Sequence, residues 1–194
     1  MKPNPKNDYI QLCQRMKRPK NIDFGREYDK LLKHKLIKNI EINGNGILVS
    51  TRKITIKYKR RAYALGEFEI LLEIDLDFNK VTFKNLTNPI IREDKEESKR
   101  IYHHPHIRDY FAYDENADEY DYDGQDACFG NIKDLIDELL DKEDIPGLIY
   151  LCLNFLQSYQ GHDYTDNEGD DYEAYKEITY WPLVKKPKIK KRKR

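Results

Sequence analysis

Phe68-Glu69-Ile70-Leu71-Leu72-Glu73-Ile74 is the stretch on which the fold class turns. Phe68, Ile70, Leu72 and Ile74 alternate with Glu69, Leu71 and Glu73, the period of two that puts one side of a strand in a core and the other in water. Ile54, Ile56 and Tyr58 alternate in the same way with Thr55 and Lys57. Ile47-Leu48-Val49 before them and Val81-Thr82-Phe83 after them bring the expected strands to four, with turns at Gly44-Asn45-Gly46, the Arg60-Arg61 region and Asp77-Phe78-Asn79. Connections this short imply an antiparallel meander, because a parallel crossover needs about a dozen residues or more.

Helical spacing flanks these strands. Tyr9, Leu12, Cys13 and Met16 fit a short helix that ends at Arg18-Pro19, which makes Cys13 a packing residue. A second helix is expected over Arg26 to Ile37, with Tyr28, Leu31, Leu32 and Leu36 on one stripe and His34 solvated on the surface. Beyond residue 127 the stripe Ile132, Leu135, Ile136, Leu139 and Leu140 predicts a helix with Asn131 as N-cap. Pro146 opens another, whose stripe of Leu148, Leu151, Cys152, Phe155, Leu156 and Tyr159 puts Cys152 in the core, and Gly161 stops it. Ile178 to Val184 reads as a short final element. The fold class is therefore α+β, and 194 residues suit one core with appendages.

Lys and Arg number 35, as do Asp and Glu, so no global field points to a polyanionic or polycationic partner. The charge is segregated, with eight carboxylates between Asp109 and Asp126 and an almost wholly basic run from Lys185 to Arg194. Three cysteines at wide spacings suit reduced thiols rather than a disulfide framework. No apolar run approaches the roughly 20 residues of a membrane span, and Met1-Lys2-Pro3-Asn4-Pro5 lacks a signal-peptide core. A cytoplasmic protein without membrane partners is expected. Heavy use of Lys, Ile, Asn, Tyr and Asp hints at an A+T-rich bacterial or phage genome.

Of the three thiols, only Cys128 lies off an apolar stripe, just before an expected helix whose N-terminal N–H groups and dipole favour a thiolate. The carboxylates of the preceding segment oppose that effect, and an inert turn cysteine is the plain alternative. His103-His104-Pro105-His106-Ile107 lies between the last expected strand and this thiol.

The run from Arg26 to Tyr159 resembles the ubiquitin-conjugating enzymes and their inactive relatives, the RWD domains. The family pattern is an N-terminal helix, a four-stranded antiparallel meander, a His-Pro-Asn motif, a Gly-x-x-Cys-aliphatic motif and C-terminal helices. Here Gly66-Glu67-Phe68-Glu69-Ile70 stands for the Gly-aromatic strand, followed by Val81-Thr82-Phe83, His104-Pro105-His106-Ile107, and Gly124 before Ala127-Cys128-Phe129. The resemblance implies transfer of a ubiquitin-like protein through a thioester on Cys128. His106, in place of the family's Asn, would donate a hydrogen bond to the tetrahedral oxyanion, and His104 would hold the turn. The implied partners are a ubiquitin-like protein and its activating enzyme, with no cofactor.

On this reading residues 1–25 are an N-terminal helical extension, 26–184 the ubiquitin-conjugating-enzyme-like domain with an acidic insertion at 109–126, and 185–194 a basic tail. Two other readings stand beside it. His103, His104, His106 and Cys128 are possible zinc ligands, but no Cys-x-x-Cys or spaced His pair accompanies them, and no metal is expected. Glu119-x-Asp121-x-Asp123-Gly124 has the start of a calcium loop with Gly130 where its bidentate Glu belongs. The second is a noncatalytic binding or assembly module on the same scaffold. The tail could bind nucleic acid by counterion release, although it lacks interleaved aromatics, which favours a nonspecific or solubilising role.

Overall fold

The computed structural model describes residues 4–16, 21–44, 46–74, 79–93, 99–108, 132–159 and 178–184. The acidic segment 109–126, Asn131, Gly161 and the tail, each singled out above, lie outside the described residues.

Helix α1 (Pro5–Arg15) starts because the Asn4 side chain accepts the Asn7 N–H and Pro5 needs no partner for an N–H it lacks. Its face of Tyr9, Leu12 and Cys13 is buried. Helix α2 (Phe24–Leu32) is capped by Asp23, which accepts the Arg26 N–H at 2.9 Å, and buries Phe24, Tyr28 and Leu31. The Tyr9 hydroxyl donates to Glu27 at 2.6 Å and its ring lies 5.4 Å from that of Tyr28. The first helix is thereby joined to the second in one core.

The helix expected to reach Ile37 ends at Leu32, and Ile37–Asn43 is strand β1. A bulge between Ile37 and Asn39 explains why its alternation is hidden: the register shift turns both Ile37 and Ile40 inward although they are three residues apart. His34, expected on the surface, is half-buried with its ring 5.5 Å from Tyr150.

Four antiparallel strands form the main sheet, as expected, but their membership differs. Its order is β1-β2-β5-β6, where β2 is Gly46–Thr51, β5 is Phe68–Ile74 and β6 is Asn79–Asn85. Ile54–Tyr58 (β3) does not join it. Instead β3 pairs with Arg61–Gly66 (β4) as a separate hairpin inserted between β2 and β5. The place expected for β3 is filled by direct pairing of β2 with β5, Val49 opposite Ile70. Tyr58 and Arg61 flank a two-residue loop in which Lys59 and Arg60 both take positive φ, 44° and 63°. This is the left-handed geometry of a hairpin turn, here without glycine.

A third sheet, β7 (Ile90–Glu93), β8 (Lys99–His104) and β9 (Ile107–Arg108), was not legible in the sequence. Helix α3 (Lys133–Asp141) buries Ile136 but leaves Leu135 exposed. Helix α4 (Ile145–Gln157) is capped by Asp144, whose carboxylate accepts the Gly147 N–H at 3.1 Å. It buries Leu148, Ile149, Cys152, Leu153, Phe155 and Leu156, and apolar contact on more than one side makes it the central helix. A short 3-10 turn at Ile178–Tyr180 brings Trp181 into the core, and the chain then runs antiparallel to β4: Ala64 N–H donates to Pro182 O and Val184 N–H to Ala62 O. Among the described residues no helix is long and apolar enough to cross a membrane.

Candidate functional site around the His104-Pro105-His106 turn

The histidine run lies on the β8–β9 hairpin, with His104 opposite Ile107 and Pro105-His106 as its two-residue loop. Two consecutive imidazoles, His103 and His104, are both buried. Because successive strand residues point to opposite sides, they meet different surroundings.

His103 meets the end of β6. Its Nδ1 accepts the Asn85 N–H at 2.9 Å, so the proton of the neutral ring sits on Nε2. The buried Asn85 amide donates to the carbonyls of Leu65 (2.8 Å) and His103 (2.9 Å), while Oδ1 accepts from the N–H groups of Thr87 and Asn88. One side chain thus ties β4, β6 and β8 together. Gly66 sits beside this clamp at φ +117°, where an added Cβ would come 2.0 Å from the Thr87 hydroxyl oxygen. Nothing in the sequence marked Asn85 as buried; Asn85-Leu86-Thr87-Asn88 reads as an ordinary polar turn.

His104 faces the other way, fully buried between Phe68 (6.4 Å between ring centres) and Phe155 (5.4 Å), with His106 at 5.8 Å. Burial first, and the neighbouring His106 second, push its pKa down to about 3, against a small opposing pull from the Leu156 backbone. It is neutral at physiological pH. Its Nδ1 accepts the His106 N–H at 3.2 Å, which fixes the turn, and its Nε2 faces the Leu156 backbone without completing a hydrogen bond of ordinary geometry.

His106 is half-buried at the edge of this cluster, 6.2 Å from Phe155 and 6.1 Å from Tyr159. Tyr159 meets Tyr58 edge-on at 4.8 Å, and the Lys59 ammonium lies 5.0 Å from the Tyr58 ring centre. The rings form a continuous path from the buried His104 to the surface at the β3–β4 tip.

Of the expected site residues, His104 and His106 are brought together, and Cys128 lies outside the described residues. Cys13 and Cys152 are buried as expected. Burial pushes the Cys152 thiol up to about 12, so it carries no thiolate at neutral pH. Among the described residues no group of three or more His, Cys, Asp or Glu is arranged to hold a metal. His103 and His104 each have Nδ1 engaged by a backbone N–H. Phe155 and Tyr159, read from sequence as core stripe only, also form the wall on which His106 rests. Comparison with models of known families, with curated proteins and with solved structures gave no match.

Proposed function

We propose that the chain is a divergent ubiquitin-conjugating-enzyme-like protein in which Cys128 carries a ubiquitin-like partner as a thioester. The observation that carries this reading is the built turn. A neutral, solvent-excluded imidazole, His104, accepts the backbone N–H of His106, presenting the second imidazole at a half-open position. With its pKa pushed down to about 3, His104 is uncharged at neutral pH, and in this reading it positions His106.

In the proposed reaction the Cys128 sulfur attacks the partner's activated C-terminal thioester carbonyl, and the carrier's thiol leaves. An acceptor amine then attacks the new thioester, forming an amide and releasing the Cys128 thiol, with a proton passing from amine to solvent or base. His106 donates a hydrogen bond to the oxyanion in each step, where charge develops.

Incubation with a candidate activating enzyme, ATP and its ubiquitin-like protein should give a thiol-sensitive adduct that Cys128→Ala abolishes. Without a partner in hand, the rate of Cys128 alkylation against pH should report a thiol pKa below the free value of about 8.5. A pKa at or above that value counts against the reading.

A second reading, a noncatalytic binding or assembly module, is favoured by topology. The β3–β4 hairpin interrupts the four-stranded meander, which is continuous in the family, and Cys128 stands 22 positions after His106, more than twice the family's usual spacing. In that case Cys128→Ser leaves function intact and deletion of the acidic segment removes partner binding.

A further inference from the structure

We draw no further inference here: the strongest candidate, the cleft of about 320 Å³ between the first turns of α2 and α4 whose lining holds Arg26 and Lys30 together with Asp23 and Glu27, carries nothing because those four charges cancel and nothing in the structure shows what the cleft would hold.

Discussion

His104 carries a titratable group that the folded protein keeps uncharged, and this makes stability depend on pH in a defined direction. Its folded pKa of about 3 lies below the ordinary value of 6.5, so between these values the unfolded chain binds a proton that the native state refuses. Stability from this group is complete above pH 6.5 and falls on acidification toward pH 3, at a limiting slope of about 1.4 kcal/mol per pH unit. Urea midpoints across that range should show this loss, and His104→Leu should remove one proton from the slope. The ring resonances of His104 should stay fixed in NMR titrations from pH 5 to 8. Asn85 makes a second prediction at this scale. Asn85→Ala strands two carbonyls and two N–H groups that its amide satisfies. The expected loss is about 2–4 kcal/mol, measured as a lower denaturant midpoint at unchanged m. Sequence reading found the His-Pro-His turn because proline and adjacent histidines are visible as letters. Asn85 was missed because its burial is a tertiary fact, indistinguishable in sequence from that of a solvated turn Asn.

Elements show the same division between what a local pattern reports and what it cannot. Alternation in Phe68–Ile74 and Ile54–Tyr58 identified both as strands correctly, since inward and outward positions are a property of one segment. Pairing is a property of two, and alternation does not name the partner. Strand β3 was therefore placed in the main sheet, when its partner is β4 alone. The bulge in β1 erased its alternation and let the helical stripe of α2 run on to Ile37. Two substitutions test the hairpin geometry. Lys59→Asn with Arg60→Gly supplies the residues that the turn's positive φ values favour, and should stabilise the protein by about 1 kcal/mol. Gly66→Ala should do the reverse. At φ +117°, its Cβ meets Thr87 and Asn85, and a loss of about 2–5 kcal/mol is expected in equilibrium unfolding.

Across the whole molecule, one cluster of buried side chains runs from Tyr9 and Leu12 in α1 through the sheets to Trp181 near the C-terminal strand. Both ends of the described chain are thereby fastened to a single core, and the two buried thiols, Cys13 and Cys152, are inert components of it. The α+β class and the central place of α4 were legible because they follow from periodicity. The proposed proximity of Cys128 to His106 is of another kind: it depends on how the 21 intervening residues return, which no local pattern encodes. The thioester proposal depends on that proximity. It is tested most directly in the His106→Cys variant, using mild oxidation and the shortest bifunctional maleimide, with peptide mapping to locate any link. The proposal predicts an intramolecular bridge between positions 106 and 128; rapid single modification of both thiols with no bridge between them would contradict it.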